Sequence, residues 1–213
     1  KIFSKLIMII IKHRVNTLQD LKKLESDQGA EIDVRYHEDQ LVLHHDPFSH
    51  HKNECLVFEE FLSNWKAEGP LILNIKTEGI ENTCIALMNE FKVPNWFFLD
   101  LSMPYFVKFS NFALQKKIEG FSKKNLAVRF SEYEPIEYAL SFSNKAEWIW
   151  VDCFSFLPLN GEIYDKIKQG NFKICLVSPE LQGLKKEKII DFLSQVSDME
   201  IEAVCTKYPE LWR

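Results

Sequence analysis

Residues 30–36 read Ala-Glu-Ile-Asp-Val-Arg-Tyr, an apolar strand pattern interrupted by two carboxylates. Because side chains alternate between the two faces of an extended chain, Glu31 and Asp33 point to the same side. An earlier apolar run ends at His13-Arg14, and a later one ends at His44-His45-Asp46. Two carboxylates on one face can hold a hard divalent cation through oxygen, and flanking histidines can transfer protons. The pattern therefore predicts a site built where several strands end.

Short apolar runs alternate with longer amphipathic stretches along the chain. Several strand candidates are nearly continuous in Ile, Leu, Val and Phe, as is typical of buried parallel strands. The candidates are 6–12, 30–36, 71–76, 96–101, 126–130, 148–154, 173–177 and 201–205. The helix candidates between them are 17–26, 57–65, 80–91, 104–117, 135–142, 162–169 and 185–196. Residues 40–44 add a return strand that forms a hairpin with the second strand. This alternation predicts a compact α/β chain, a (β/α)8 TIM-type barrel formed by one domain over residues 1–213, without a large inserted subdomain. An open doubly wound sheet is the main competing architecture.

The composition is that of a globular protein and gives no sign of a nucleic-acid surface. The formal net charge is −5, whereas nucleic-acid-binding domains usually carry a basic excess. The five cysteines form no C-x-x-C pair, which favours a reducing compartment, so we expect a cytoplasmic protein without stable membrane insertion. Residues 1–11 superficially resemble a signal peptide, but their apolar core is short and no small-residue cleavage site follows. A buried first strand is the favoured interpretation.

Polar residues follow each predicted strand at its carboxyl end, which is the rim where barrel enzymes carry their sites. They include His13, Arg14, Glu31, Asp33, Asn74, Lys76, Asp100, Arg129, Glu132, Asp152, Ser178, Glu180 and Lys207. One polar residue at a strand end usually only leaves the core, so the prediction depends on the coincidence across all the strands. The candidates for lining a substrate pocket are Arg129, Asp152, Glu180 and Lys207, although Arg129 could equally form a plain ion pair at the rim.

The order of these motifs resembles that of the glycerophosphodiester phosphodiesterases, which belong to the phosphatidylinositol-phospholipase-C-like barrel superfamily. The matching motifs are His13-Arg14, Asn16-Thr17, Glu31-Ile32-Asp33-Val34, His45-Asp46 and Asn74-Ile75-Lys76. Near the end, residues 205–209 resemble the Thr-Asp-x-Pro segment that closes the last strand of this family. The resemblance spans nearly the whole chain, and its specific motifs lie in the first third.

This resemblance implies a metal-dependent phosphodiester hydrolase of lipid metabolism that acts on a small phosphodiester substrate and needs Mg²⁺ or Ca²⁺. Carried over to this sequence, the resemblance makes His13 and His45 the general acid/base pair. The metal ligands would be Glu31, Asp33 and Asn74, and the phosphate contacts would be Arg14 and Lys76. The chemistry is consistent, because a divalent cation with Arg or Lys offsets the charge that develops on the leaving oxygen.

Some positions depart from the family pattern. Asn74 stands where the family has Glu, so the metal site has one negative charge fewer, and Asp100 or Asp152 could compensate from neighbouring strands. Lys207 stands where the family has Asp and adds a cation to the rim. Two other functions therefore stay open: a lyase-type cleavage that ends at a cyclic phosphate, and a barrel that binds a phosphate ligand without turnover.

Local alternatives concern the histidines and the carboxylates. His44 and His45 would face opposite sides of a strand, so one of them is structural, and the family position favours His45 as the site residue. Glu31 and Asp33 could form ion pairs with neighbouring arginines instead of binding a metal. The His50-His51 pair is expected to be a solvated part of a loop rather than a metal site.

Overall fold

The computed structural model describes residues 8–48 and 55–213. The described strands are β1 (Ile9–Lys12), β2 (Gly29–His37), β3 (Gln40–Leu43), β4 (Leu56–Val57), β5 (Leu71–Ile75), β6 (Trp96–Leu99), β7 (Ala127–Phe130), β8 (Trp148–Val151), β9 (Lys173–Val177) and β10 (Ala203–Thr206). The described helices are α1 (Leu18–Leu21), α2 (Phe58–Asn64), α3 (Glu81–Glu90), α4 (Met103–Leu114), α5 (Ile136–Leu140), α6 (Gly161–Gln169) and α7 (Lys188–Gln195). Positions 6 and 7 of the predicted first strand and the His50-His51 pair lie outside the described residues.

Eight of these strands run parallel in the circular order β1-β2-β5-β6-β7-β8-β9-β10. Each strand in this order pairs with the next through a ladder of hydrogen bonds, except that β6 and β7 meet only at a single bridge between Phe98 and Leu126. The Asn125 side chain reinforces this junction, since its amide donates to the Trp96 carbonyl at 3.0 Å. The predicted (β/α)8 barrel is confirmed, and the open doubly wound sheet is wrong.

The strands form where apolar residues are buried on both faces. All five residues of β5, Leu71–Ile75, are buried, as expected for a parallel strand with the barrel interior on one side and helices on the other. Amphipathic helices supply the outer layer; α6, for example, begins at the cap residue Asn160, whose side chain accepts the Ile163 N–H at 2.9 Å. The carboxyl ends of the eight strands therefore meet at one mouth.

β2 extends beyond its parallel pairing with β5 into a hairpin with β3. β2 continues past the barrel and turns at Glu38 and Asp39, both with positive φ, into the antiparallel strand β3. Two residues in the left-handed region match the twist of a tight hairpin. β4 then pairs with β3 through Val42 and Val57. The sequence predicted β3 but not β4, because two residues are too few to show a strand period.

Two other expectations concern helices and cysteines. The first helix was predicted over 17–26, but α1 ends at Leu21, since the chain has to turn and enter β2 at Gly29. The five cysteines are free, and all except Cys55 are buried. Burial raises the pKa of the Cys153 thiol, so this thiol is poorly suited to act as a nucleophile. Among the helices of residues 8–48 and 55–213, none combines the length and the apolar character needed to cross a bilayer.

Candidate active site

The ends of β1 and β2 bring His13 and Glu31 together. His13 is the first residue after β1, and its Nε2 lies 3.8 Å from Oε2 of the buried Glu31. The next residue, Arg14, has φ of 54° and donates its backbone N–H to the same carboxylate oxygen at 2.8 Å. Burial, with Arg14 as the next cause, lowers the pKa of His13 to about 3. Its imidazole is therefore neutral near pH ~7.

The Glu31 carboxylate is itself perturbed. Burial raises the pKa of Glu31 to about 7, and the neighbouring Asp33 carboxylate adds to this rise. Both carboxylates extend from β2 on the same face, two residues apart, as the alternation predicts. A buried pair of like charges is costly unless a cation or hydrogen bonds offset it.

Asp33 lies between an amide and two cations. The Asn16 side chain donates to Asp33 Oδ2 at 2.8 Å, and the Asp33 backbone N–H donates to Asn16 Oδ1 at 2.9 Å. Lys76 Nζ is 3.4 Å from Asp33 Oδ1, and Arg14 Nε is 4.0 Å from Asp33 Oδ2. The two residues suggested as phosphate contacts thus lie on either side of one carboxylate. The alternative of an ion pair with an arginine is realised for Asp33 by this contact with Arg14.

Asn74 closes the group from the neighbouring strand β5. Its Nδ2 donates to Glu31 Oε1 at 2.9 Å, while its Oδ1 is buried without a hydrogen-bond donor and the buried Oδ1 of Asp33 has only the ion pair with Lys76. Buried oxygens without donors are uncommon and costly, and oxygens of this kind are the ligands that Mg²⁺ and Ca²⁺ take. The donor set of Glu31, Asp33 and Asn74 therefore fits a divalent cation. Within the described residues no three His, Cys, Asp or Glu side chains come together as a metal site; in this group the third oxygen is that of the Asn74 amide.

His45 approaches the same mouth from the loop after β3. Its Nε2 contacts the Arg14 guanidinium, and its Nδ1 lies 2.7 Å from Asp46 Oδ1. A guanidinium can only donate, so Nε2 is the acceptor and Nδ1 carries the proton that is donated to Asp46. This hydrogen bond lowers the pKa of Asp46. The bonding therefore defines the tautomer of His45, with Nε2 as the acceptor from Arg14.

Arg35 fixes the loop that carries both histidines. Its guanidinium donates to the carbonyl oxygens of His44 at 3.1 Å, His45 at 2.8 Å and Lys76 at 3.3 Å. The His44 ring stacks on Phe48 with centroids 5.1 Å apart, whereas the His45 ring reaches Arg14. This placement agrees with the expectation that one of the two histidines is structural. Sequence reasoning did not give Arg35 this positioning role.

Asp100 and Asp152 lie at the mouth but are held by another residue. Arg129 pairs with the Asp100 carboxylate, and its Nη1 is 3.1 Å from Asp152 Oδ2. Asp152 Oδ1 also accepts from Gln182 at 2.7 Å, and Asp100 Oδ2 lies 3.9 Å from Lys76 Nζ. The structure therefore gives no support to either aspartate as an additional metal ligand. The alternative interpretation of Arg129, as a rim ion pair, describes these contacts.

Glu180 and Lys207 lie at the ends of the last two barrel strands. Glu180 accepts from Thr206 Oγ1 at 2.7 Å and from the Lys207 N–H at 2.8 Å. Its carboxylate therefore holds the end of β10 rather than lining an open pocket. Lys207 is exposed and lines, together with His13, a cavity of ≈ 600 Å³ between the ends of β10 and β1.

The barrel and its mouth can be compared with known proteins. No protein-family model matches the sequence, and no curated protein sequence matches it. Solved structures do match: a glycerophosphodiester phosphodiesterase from Agrobacterium tumefaciens str. C58 has a TM-score of 0.67 and 14% identity, over 97% of this chain and 99% of that one. A glycerophosphoryl diester phosphodiesterase from Parabacteroides distasonis ATCC 8503 has a TM-score of 0.68 and 14% identity, over 98% of this chain and 86% of that one.

The chain has the fold of these phosphodiesterases. The motif resemblance is thus matched by a backbone likeness over nearly the whole length. The full coverage of the Agrobacterium chain also agrees with a compact barrel without a large insertion. At this identity the likeness concerns the fold, so the roles of the site residues depend on the geometry described above.

Proposed function

We propose that this protein is a metal-dependent phosphodiester hydrolase that acts on diesters of the glycerophospho type, with His13 and His45 as its general acid/base pair. One observation carries the proposal. Two imidazoles flank a buried set of metal-compatible oxygens, with Arg14 and Lys76 beside it, at the mouth of a barrel whose solved neighbours are phosphodiesterases.

The binding of the phosphate follows from the charges at the mouth. Glu31, Asp33 and Asn74 would hold Mg²⁺ or Ca²⁺, which when bound supplies positive charge against the phosphate oxygens. Arg14 and Lys76 lie 4.0 and 3.4 Å from the Asp33 carboxylate and would donate to the remaining phosphate oxygens. As Arg14 turns toward the phosphate, it releases Nε2 of His45.

The two histidines have different surroundings, which supports different roles. His13 is buried and, with a pKa lowered to about 3, uncharged, so it cannot be the proton donor near pH ~7 and would take the role of general base toward the attacking water. His45 donates from Nδ1 to the Asp46 carboxylate at 2.7 Å, and this hydrogen bond orients the ring so that Nε2 faces the mouth. His45 would therefore deliver a proton to the leaving alkoxide, and each proton transfer would contribute roughly 10²–10⁴-fold to the rate.

Hydrolysis of glycerophosphocholine tests the proposal. The wild-type protein is expected to turn it over with Mg²⁺ or Ca²⁺ and to lose that activity in EDTA. His13→Ala should lower kcat/KM by at least ~10²-fold, whereas the matched control His44→Ala should not. Phosphorus NMR of the product distinguishes hydrolysis from formation of a cyclic ester. Binding of inorganic phosphate without turnover of any diester would instead indicate the non-catalytic barrel.

A further inference from the structure

Asp100 links cations from two different strands at the mouth. It is the first residue after β6, and its carboxylate pairs with the Arg129 guanidinium of β7. Its Oδ2 also lies 3.9 Å from Nζ of Lys76, the first residue after β5. Asp100 therefore connects one of the proposed phosphate contacts to a residue two strands further around the barrel.

The backbone of Asp100 adopts a conformation that is uncommon outside glycine. Its φ is 60°, in the left-handed region where asparagine and aspartate are enriched among the other residue types. Residues in such conformations persist where surrounding contacts fix them, and they are concentrated at functional sites. The contacts of the Asp100 side chain are the two cations on either side of its carboxylate, which points to a role for this residue at the mouth.

The ion pair of Asp100 with Arg129 takes the place of a backbone ladder. β6 and β7 share the single bridge between Phe98 and Leu126, and a cavity of ≈ 260 Å³ is lined by residues of both strands, with Asp100 and Arg129 among them. The two side chains therefore join the strands at the mouth, where the described residues form no ladder between β6 and β7. Arg129 is itself held from β8, since its Nη1 is 3.1 Å from Asp152 Oδ2.

The Lys76 ammonium lies between two carboxylates. Its Nζ is 3.4 Å from Asp33 Oδ1 and 3.9 Å from Asp100 Oδ2. Asp33 also faces Arg14 and belongs to the group of oxygens that fits a divalent cation, so with that site occupied its attraction for Lys76 would be weaker. Asp100 is held by Arg129 and takes no part in that group. The Asp100 carboxylate therefore stays available to Lys76 whether or not the metal site is occupied.

We infer that Asp100 is a positioning residue, which holds the Lys76 ammonium where it contacts the phosphate and is itself held by Arg129. This inference rests on the proposed function, in which Lys76 is a phosphate contact. The lysine side chain is flexible, and ordering such a side chain at each binding event costs affinity, so a carboxylate that orders it beforehand reduces that cost. If the charge of Asp100 instead acted directly on the phosphate, its removal would strengthen phosphate binding, because like charges repel. The two roles therefore predict effects of opposite sign.

The affinity for inorganic phosphate tests the inference, measured by isothermal titration of the full chain in EDTA and in Mg²⁺. Asp100→Asn removes the charge and introduces a residue that tolerates the φ of 60°. The dissociation constant of this variant for phosphate should rise ~3- to 10-fold, the cost of ordering one long side chain. With glycerophosphocholine and Mg²⁺, KM should rise by a similar factor while kcat stays within about twofold, since the interaction that is lost contributes to binding.

A double-mutant cycle shows whether Asp100 acts through Lys76. In a Lys76→Met background, Asp100→Asn should have no further effect on the affinity for phosphate, because the side chain that it positions is gone. Asp152→Asn is the matched control: it removes the other carboxylate of Arg129, which forms its ion pair with Arg129 and not with Lys76, and should leave the affinity for phosphate unchanged. Asp100→Gly, which also tolerates a positive φ, repeats the measurement if Asp100→Asn does not fold.

Three results would overturn the inference and leave the proposed function intact, provided that the wild type turns over glycerophosphocholine. They are an unchanged affinity for phosphate in Asp100→Asn, a tighter one, or a loss of the same size with and without Lys76. A wild type that binds phosphate and shows the expected cycle but hydrolyses no diester would support the positioning role and refute the proposed hydrolase. A wild type that neither binds phosphate nor hydrolyses a diester would refute both.

Discussion

Asn74→Glu adds a third carboxylate to the group formed by Glu31, Asp33 and residue 74, and its effect on stability and metal affinity can be worked out from the structure. The Asn74 amide now donates to Glu31 Oε1 at 2.9 Å. The substitution replaces this attraction by the repulsion of two carboxylates. At an effective dielectric constant of about 20, two like charges about 4 Å apart repel by about 4 kcal/mol. Without metal the variant should therefore be less stable than the wild type by up to that amount. Uptake of a proton by one of the two carboxylates would reduce this difference in the free energy of unfolding.

A bound divalent cation reverses the sign of this effect. The added carboxylate then faces a positive charge, so we expect the dissociation constant for Mg²⁺ and Ca²⁺ to fall by ~10- to 100-fold, which corresponds to about 1.4 to 2.8 kcal/mol. Isothermal titration gives the affinity, and urea unfolding with EDTA or with excess metal gives the stability difference. Asn74→Gln is the matched control, since it has the length of Glu without the charge. It should bind metal no more tightly than the wild type.

Two results would contradict this expectation: metal binding by Asn74→Glu that is as weak as that by Asn74→Gln, or a stability without metal that equals that of the wild type. The first result would mean that the metal, where it binds, does not contact position 74. The second would mean that the Glu31 carboxylate and the new side chain do not meet, contrary to the hydrogen bond between Asn74 and Glu31.

Three further predictions concern other residues. On an alkyl diester, His13→Ala and His45→Ala should each lower kcat/KM by at least ~10²-fold. On a nitrophenyl diester His45→Ala should keep most of its activity, because that leaving group departs without a proton. If His44→Ala lowers the activity as much as His45→Ala does, the second histidine is misassigned. Arg129→Met should destabilise the fold by about 2–4 kcal/mol in urea unfolding, since it leaves the buried Asp152 carboxylate without a cation and Asp100 with only Lys76; unchanged stability would contradict a structural ion pair. Burial raises the pKa of Glu81, so the native state holds its proton more tightly than the unfolded chain, and stability should fall as pH rises above the ordinary value of 4.5. Glu81→Gln should remove this pH dependence of the urea midpoint, and an unaltered slope would show that another group causes it.

The barrel could be predicted because its strands are buried on both faces. Runs such as Leu71–Ile75 show this burial directly as continuous apolar sequence, and their regular spacing between amphipathic stretches implies parallel connections. The two-residue strand Leu56–Val57 carries no period, and the length of α1 depends on where the chain must enter β2. Features set by tertiary geometry rather than by local pattern were therefore missed.

The candidate site shows the same division. Alternation places Glu31 and Asp33 on one face, and the motif order pointed to His13, His45 and Lys76 as their neighbours. The sequence could not show which carboxylate meets which cation, so the commitment of Asp100 to Arg129 was not foreseen. Arg35 was overlooked as a positioning residue because its partners are backbone carbonyls, which leave no signal in the sequence.

The junction of β6 and β7 gives the barrel an uneven stiffness. Ladders join β10, β1 and β2 around His13 and Glu31, whereas one bridge from Phe98 to Leu126 joins β6 to β7. Local opening begins where the fewest backbone hydrogen bonds must break, so we expect amide hydrogens to exchange faster at this seam than in β10, β1 and β2. The strands that carry His13 and Glu31 thus lie on the fully paired side of the barrel, where the relative positions of the candidate catalytic groups are held best.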